Sequence, residues 1–376
     1  MIAGSSGRTL AFVGTLTRPA PYFPAANGPG LVVLAFDEDT GALTPLHEVG
    51  GIDNPSYVTV DAAGRTLYAI SEVFGWHEGV ATAYRIDQRT GALTYINKQA
   101  TRGSIAAQAS FDRTGRWLLV ANYRIGEDGL RPPQAAVVYP IEADGGLGPA
   151  ACSVGHTGHG PNPDRQEGPH PHCAVASPDN RFVLVCDLGI DRIMVYAFDP
   201  AAGTLTPGAP SFVRMAPGTG PRHLVFAPNG RFVFVTNELA SSVTALAWDA
   251  ASGTLTPVRT IATIPADWHE ENSCSDIGIS ADGRFLYAAN RGHDSIAAFA
   301  VDAAGRLTSL GQTSVRGRTP RQFTLDLSGR FVLVANQNSD EVVVLARDPA
   351  SGLLGDSGQR AAIGTPMCVK LLRVAE

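Results

Sequence analysis

The segment Gly220–Leu239 reads GPRHLVFAPNGRFVFVTNEL, which is two short apolar runs joined by a Pro-Asn-Gly-Arg corner. Short runs rich in Val, Leu and Phe that are bounded by Gly, Pro and Asn are typical of β-strands connected by tight turns. The corner and the apolar run behind it return in variant form along the whole chain. Seven copies begin 46 to 65 residues apart, at Gly7, Gly64, Gly115, Asn180, Gly230, Gly283 and Gly329. The fold is therefore to be explained by one repeating unit.

A second marker, an acidic residue followed by a Gly-x-Leu turn, accompanies the corners, as in DPAAGTLTPG and DAASGTLTPV. The two markers divide each copy into four short strands, and no long helical periodicity is visible. A four-stranded repeat of about 40 to 50 residues is typical of a β-propeller blade. We therefore predict an all-β, seven-bladed β-propeller with four antiparallel strands per blade, in which residues 1–376 form a single domain.

The two ends of the chain fit a closed ring. The C-terminal sequence TPMCVKLLRVAE resembles a first strand, whereas the N-terminal region begins directly at a second strand. We expect a C-terminal strand from about Pro366 to complete the blade that opens at Gly7, because closure removes exposed strand edges.

The composition argues against several classes of protein. With 44% hydrophobic and 17% charged residues the chain can bury a large core, and its net charge of −6 disfavours a nucleic-acid partner. Five cysteines without Cys-x-x-Cys spacing are typical of buried free thiols in a reducing compartment. No signal-peptide pattern is visible, and no apolar run approaches the roughly 20 residues of a membrane helix. We predict a cytoplasmic protein without a membrane partner, either a monomer or a weak homo-oligomer.

Blade geometry predicts which residues meet at one mouth of the central channel. The start of a blade's first strand and the end of its second lie on the same face, next to the channel. These positions are nine residues before and seven residues after each corner Arg. The first set holds Ser56, Ala107, His172, Arg222, Ser275 and Arg321, with Met367 completing the closing blade, and the second holds Thr15, Glu72, Tyr123, Leu188, Glu238, Arg291 and Gln337. The convergence of one His, three Arg and two Glu favours an anionic ligand over residues that only brace neighbouring blades.

The longest segment between blades, Gly155–Val175, is rich in Gly and Pro and carries four histidines, His156, His159, His170 and His172. Its length predicts a binding loop. We predict no metal, because the His pairs have no Cys or acidic ligand at motif spacing. At least one of His170 and His172 should enter the mouth, since they flank the proline that leads into a first strand, and Arg165 is expected to reach the same place. No nucleophile elbow, dinucleotide loop or P-loop is present, so no cofactor is predicted.

Three segments of the chain resemble the bacterial propeller-type 6-phosphogluconolactonase family. They are PHPHCAVASPDNRFVLVCDLGIDRIMVY, GPRHLVFAPNGRFVFVTNEL and ISADGRFLYAANRGHDSIAAF. That family is also related to fungal carboxy-cis,cis-muconate cyclase. The resemblance covers essentially the whole chain, and DRQEGPHPH, GPRH, NEL and NRGHDSI, in that order, are its most specific parts. It implies hydrolysis of 6-phosphogluconolactone in the pentose phosphate pathway without a metal. It also implies an active site that contains His172, Arg222, Glu238 and Arg291.

For this activity we predict that His172 is the base that activates water, since imidazole titrates near neutrality. Glu238 is expected either to orient an imidazole or to protonate the leaving ring oxygen. Arg222 is assigned to the oxyanion and Arg291 to the phosphate. Further substrate contacts are predicted for Arg165, His170, His223 and Arg321.

Other interpretations stay open from the sequence. The same His, Arg and Glu set could serve a cyclase or lactonase that acts on a carboxylated muconolactone. A propeller can also be a non-enzymatic protein-binding platform, which would favour an exposed apolar patch over converging charges. The sequence does not decide the exact lactone, the choice between His170 and His172 as the base, or which Arg binds phosphate.

Overall fold

Twenty-eight strands and two single-turn 3₁₀ helices form the regular structure of the described residues, 8–124 and 134–374, in a computed structural model of the protein. The strands form seven antiparallel sheets of four strands each. This confirms the predicted seven-bladed β-propeller. Gly7, at which the first copy of the repeat begins, lies outside the described residues. No helix in the described ranges is long and apolar enough to cross a lipid bilayer.

The blades follow the chain, and each runs from the channel outwards. Blade 1 contains β28 (Pro366–Val374), β1 (Arg8–Thr15), β2 (Leu31–Phe36) and β3 (Leu43–Val49). Blade 2 contains β4 (Pro55–Val60), β5 (Thr66–Ser71), β6 (Val80–Ile86) and β7 (Leu93–Ala100), and blade 3 contains β8 (Ser104–Phe111), β9 (Trp117–Arg124), β10 (Ala136–Pro140) and β11 (Cys152–Val154). Blade 4 contains β12 (Pro171–Ala176), β13 (Phe182–Asp187), β14 (Arg192–Asp199) and β15 (Thr204–Arg214).

The remaining three blades have the same arrangement. Blade 5 contains β16 (Pro221–Phe226), β17 (Phe232–Asn237), β18 (Ser242–Asp249) and β19 (Thr254–Ala262). Blade 6 contains β20 (Ser273–Ile279), β21 (Phe285–Arg291), β22 (Ser295–Val301) and β23 (Leu307–Ser314), and blade 7 contains β24 (Pro320–Leu325), β25 (Phe331–Asn336), β26 (Glu341–Arg347) and β27 (Leu354–Ala362). The 3₁₀ helices Leu188–Ile190 and Gln337–Ser339 follow β13 and β25.

The ring is closed by the C-terminal strand. β28 pairs antiparallel with β1 from Arg8 opposite Val374 to Thr15 opposite Pro366. The innermost strands also contact one another around the channel in the order β28, β4, β8, β12, β16, β20 and β24, and β24 contacts β28 again. The predicted closing strand from about Pro366 is therefore confirmed.

The two sequence markers pack against each other across five of the seven blade boundaries. Gly253, in the Gly-x-Leu turn of blade 5, has a positive φ of 72°, and a Cβ there would lie 2.6 Å from Cε1 of Phe182 in blade 4. The corner Arg of blade 4 contacts the same turn, because Nη1 of Arg181 donates to the carbonyl of Ala250 at 3.3 Å. Equivalent Gly–aromatic contacts join Gly41 to Phe331, Gly203 to Trp117, Gly305 to Phe232 and Gly352 to Phe285. The repeat thus encodes the interfaces between blades as well as the strands.

Candidate functional site

A cavity of about 420 Å³ opens at one mouth of the central channel. Its wall contains seven of the positions that blade geometry predicts to meet there, namely Glu72, Ala107, Tyr123, His172, Glu238, Arg291 and Arg321. The loop before β12 adds Asp164, Arg165, Glu167 and His170, and the segment after β1 adds Pro21 and Tyr22. The structure therefore brings together side chains that are far apart in sequence and come from blades 1 to 7.

A β-bulge on each innermost strand places the mouth residue. Each of these strands has one residue more than its partner near its beginning, so the extra residue is unpaired and its side chain is redirected. The bulges fall at Ser56, Ala107, His172, Arg321 and Met367, and within residues 222–223 and 275–276. Five of the strands start with proline, which has no N–H to donate and is therefore tolerated at the first residue of a strand.

Glu238 is the centre of a cluster of three arginines. Its Oε2 lies 2.8 Å from Nε of Arg222 and 3.0 Å from Nη2 of Arg291, and its Oε1 accepts a hydrogen bond from Nη2 of Arg165 at 2.5 Å. Burial alone would raise the pKa of Glu238, but the charges of Arg291, Arg222 and Arg165 outweigh it and hold this pKa far below its usual value. Glu238 is therefore a carboxylate at neutral pH.

A second ion pair lies across the channel from this cluster. Nη2 of Arg321 lies 3.1 Å from Oε1 and 3.3 Å from Oε2 of Glu72. The hydroxyl of Tyr22 donates to Oε1 of Glu72 at 2.6 Å, and the Arg321 guanidinium lies 5.0 Å from the centre of the Tyr22 ring. Arg321 commits only Nη2 to hydrogen bonds with described residues. Its other N–H groups are available to an anion in the cavity.

A chain of hydrogen bonds runs from His172 into the channel. Nδ1 of His172 lies 3.1 Å from Nε2 of His223, and Nδ1 of His223 lies 2.8 Å from Oδ1 of Asp276. All three residues are less than 10% exposed. His223 and Asp276 line a second cavity of about 320 Å³ towards the other end of the channel, together with Tyr57 and Lys370.

Burial and neighbouring cations keep both imidazoles neutral. Burial, followed by the charges of Arg222 and Arg321, lowers the pKa of His172 well below its usual value. Burial and Arg222 lower the pKa of His223 to about 4, although Asp276 opposes this shift. A neutral imidazole can accept a proton, so His172 has the protonation state that a base needs at pH 7.

Hydrogen bonds hold the His-rich loop against blade 4. Nδ1 of the buried His156 lies 2.6 Å from Asp187, which also accepts the backbone N–H of His170 at 2.7 Å. The His170 ring stacks on Tyr123 with a centroid distance of 4.5 Å, and both its nitrogens lie within 3.1 Å of oxygen atoms. This bracing places Arg165 in the wall of the mouth cavity, where it contacts Glu238. Within residues 8–124 and 134–374 no group of three or more His, Cys, Asp or Glu side chains is arranged to hold a metal ion.

Two of the predicted site residues lie below the mouth cavity. Arg222 and His223 do not line it but border a narrow space beneath it, and Nη1 of Arg222 donates to the carbonyl of Ser275 at 2.7 Å. Sequence reasoning missed Tyr22 and Asp276. The signal for Tyr22 is the long segment between β1 and β2, since the second and third strands of blades 4 to 7 are joined by only a few residues. The signal for Asp276 is its place directly after the mouth position Ser275.

Comparison with known proteins agrees with this fold and its specific sequence phrases. A family model described as a lactonase with a seven-bladed β-propeller matches residues 10–371. A 6-phosphogluconolactonase of Bacillus subtilis is 33% identical over 365 residues, which cover 96% of this chain and 98% of the relative. The solved structure of the periplasmic gluconolactonase of Pseudomonas aeruginosa is 36% identical, covers 98% of this chain and 100% of that protein, and has a TM-score of 0.89. The chain therefore belongs to the lactonase family of seven-bladed β-propellers.

Proposed function

We propose that the protein hydrolyses 6-phospho-D-glucono-1,5-lactone to 6-phosphogluconate, a step of the pentose phosphate pathway, in the mouth cavity. The observation that carries this proposal is the presence of a neutral imidazole, His172, beside the guanidinium groups of Arg165, Arg291 and Arg321 around one cavity. Lactone hydrolysis needs a base for water and positive charge for a developing oxyanion. The 6-phosphogluconolactonase of Bacillus subtilis, which aligns with nearly the whole chain, supports the same substrate.

His172 is the base in this proposal. Its Nε2 accepts a proton from a water molecule while the water oxygen forms a bond to the lactone carbonyl carbon. The carbonyl electron pair moves to the oxygen and returns when the bond between this carbon and the ring oxygen breaks. The proton on Nε2 then passes to the ring oxygen, which becomes a hydroxyl, and the new carboxylic acid ionises in water. His170 is the weaker candidate, because both its nitrogens already lie near oxygen acceptors.

The proton donor to the ring oxygen is His172 rather than Glu238. A carboxyl whose pKa is held far below its usual value by three arginines carries no proton at neutral pH. Glu238 instead fixes the orientation of Arg165, Arg222 and Arg291. Of the two roles predicted for Glu238, we therefore keep orientation and drop protonation of the ring oxygen. The groups that Glu238 orients are guanidinium groups and not an imidazole.

Arg321 is the best-placed group for the oxyanion. It lines the cavity beside His172, and its unused N–H groups can donate to a negatively charged oxygen. Arg222, to which the sequence analysis assigned this role, already binds Glu238 and the Ser275 carbonyl beneath the cavity. We propose that Arg222 acts through Glu238 and that Arg165 and Arg291, nearer the rim, bind the phosphate.

The test measures the hydrolysis of freshly prepared 6-phosphogluconolactone by the acid that it releases, after subtraction of a no-enzyme control. Unphosphorylated gluconolactone is assayed in the same way for comparison. We expect a higher kcat/KM for the phosphorylated lactone, and Arg165→Ala should reduce this preference. Equal or better hydrolysis of gluconolactone would reject the phosphate assignment and align the protein with the Pseudomonas relative. Acceleration of neither lactone would reject the proposed activity and favour a muconolactone or a binding role.

The predicted cytoplasmic location is part of this proposal, because 6-phosphogluconolactone is an intermediate of cytoplasmic sugar metabolism. The name of the Pseudomonas relative describes a periplasmic protein. Cell fractionation with antibodies against the native protein decides between the two compartments. Recovery in the periplasmic fraction would contradict the proposed pathway.

A further inference from the structure

A second ring of side chains lies one residue beyond the bulged mouth positions. In blades 3 and 7 this position is glutamine, and its side-chain oxygen accepts a backbone N–H from the innermost strand of the next blade. Oε1 of Gln108 accepts from Ala174 at 3.0 Å, and Oε1 of Gln322 accepts from Val369 at 2.8 Å. A neutral side chain is therefore sufficient to join neighbouring blades at this position.

Blade 6 has a carboxylate at the corresponding position. Oδ2 of Asp276 accepts the backbone N–H of Phe323 in blade 7 at 3.3 Å, which is the same contact between blades. Its other oxygen, Oδ1, lies 2.8 Å from Nδ1 of His223. The contact between blades does not require the negative charge of Asp276, so we infer that this charge has a different role.

The carboxylate fixes the direction of the whole hydrogen-bond chain. Burial alone would raise the pKa of Asp276, but the hydrogen bond from His223 and the positive charges of Lys370 and Arg222 outweigh burial and lower this pKa, so Asp276 is ionised and can only accept. Nδ1 of His223 must therefore carry the hydrogen, and Nε2 of this neutral ring accepts one. Nδ1 of His172 is then the donor, which leaves the lone pair on Nε2 of His172.

We propose that Asp276 and His223 are positioning residues that hold His172 in the Nδ1–H tautomer, with its basic Nε2 free for the lactone-activating water. The inference rests on the proposed function for its catalytic meaning but not for the tautomer itself. Arg222 and Arg321 also face His172, and both are cations that disfavour its protonated form. The negative charge of Asp276, transmitted through His223, counters them when His172 accepts a proton.

The first test is the substitution Asp276→Gln. The glutamines of blades 3 and 7 indicate that the fold accepts this side chain and that its oxygen can still bind Phe323. Its amide N–H₂ would donate to Nδ1 of His223 and reverse the chain, so that Nε2 of His172 carries the hydrogen. We expect kcat to fall about 10–100-fold, the range seen when a partner that orients a metal-bound histidine is lost, with KM changed less than about threefold.

Two further variants separate positioning from structure. Gln322→Ala removes an equivalent hydrogen bond between blades without touching His223, and its kcat should stay within about twofold of the wild type. His223→Gln keeps the direction of the chain, because its oxygen can accept from His172 while its N–H₂ donates to Asp276. It should retain more activity than His223→Leu. An equal loss of kcat in Asp276→Gln and Gln322→Ala, or wild-type kcat in Asp276→Gln, would overturn the proposal.

The tautomer can be measured without any substrate. ¹⁵N-histidine NMR of the full-length protein distinguishes a protonated from an unprotonated ring nitrogen, and the His172 signals are assigned by their loss in His172→Gln. We expect hydrogen on Nδ1 of His172 in the wild type and on Nε2 in Asp276→Gln. Hydrogen on Nε2 in the wild type would overturn the positioning role even if the enzyme is active. The expected tautomers in a protein that hydrolyses no lactone would reject only the proposed function.

Discussion

Replacing Glu238 by glutamine tests the charge cluster at the mouth. The carboxylate is buried, with a side chain only 5% exposed, and it faces the nearly buried Arg222 and Arg291. Glu238→Gln keeps the size of the side chain but leaves these two guanidinium groups without a counter-charge. Breaking a buried ion pair from one side costs about 3–5 kcal/mol of unfolding free energy. We expect the lower end, since the amide oxygen can still accept one hydrogen bond.

This cost converts into a measurable change in melting temperature. A chain of 376 residues has an unfolding entropy of about 0.8 kcal/mol/K near its melting point. A loss of about 3 kcal/mol therefore lowers Tm by about 4 °C, which differential scanning calorimetry in phosphate-free buffer resolves. The control is Asp53→Asn, which removes the exposed ion pair to Arg18 and should change Tm by less than about 1 °C.

Anion binding supplies the second part of this experiment. Without the carboxylate, the guanidinium groups of Arg165 and Arg291 are available to phosphate, so inorganic phosphate should raise the Tm of Glu238→Gln more than that of the wild type. A ligand at 100 times its Kd stabilises the folded state by about 2.7 kcal/mol. A variant as stable as the wild type in phosphate-free buffer would refute the account of Glu238 as the counter-charge of buried arginines.

Three further predictions concern other parts of the molecule. The pKa of His223 is lowered to about 4 in the folded protein, so the unfolded protein binds a proton below pH 6.5 that the folded protein does not bind. About 3 kcal/mol of the unfolding free energy present above pH 6.5 should therefore be lost by pH 4. Urea titrations across this range should show a smaller loss for His223→Gln than for the wild type. Arg321→Ala should lower kcat by about 10²-fold with a smaller change in KM, as expected for an oxyanion donor, and initial-rate kinetics in which only KM rises would reject that role. Val369→Asp puts a charge on the fully buried face of the ring-closing strand and should abolish cooperative unfolding by circular dichroism, whereas Thr94→Asp on an exposed outer strand should not.

The fold could be predicted because the same sequence pattern recurs in every blade. In five of the seven blade boundaries the glycine of a Gly-x-Leu turn and the aromatic residue behind a corner are neighbours, as Gly253 and Phe182 illustrate. One blade's pattern therefore carries both the strands and the contact with the next blade. The closing strand could be predicted from Pro366 onwards because it has the pattern of a first strand without a corner of its own.

The mouth positions could be predicted for the same reason, but the partners of each side chain could not. Counting from the corners identifies His172, Glu238 and Arg321 as neighbours of one channel. It does not give depth along that channel, and so it grouped Arg222 with residues that line the cavity although Arg222 lies beneath it. A β-bulge occurs in all seven innermost strands and so does not distinguish Arg222, whose side chain is instead held by Glu238 and the Ser275 carbonyl, contacts that residue spacing does not reveal.

The roles of residues outside the repeat pattern could not be predicted from the sequence either. Tyr22 reaches Glu72 from the long segment between β1 and β2, which has no counterpart of similar length in blades 4 to 7, so those copies do not reveal where it folds. Asp276 differs from its counterparts Gln108 and Gln322 in charge, and its meaning depends on a contact with His223 across a blade boundary.

The most direct measurement is the steady-state hydrolysis of 6-phosphogluconolactone by the wild type and by His172→Ala, with the spontaneous rate subtracted. If His172 is the base at the centre of the mouth cavity, kcat should fall by about 10²–10⁴-fold while KM changes little. An unchanged kcat in a folded His172→Ala protein would contradict the central claim and remove His172 from the chemistry.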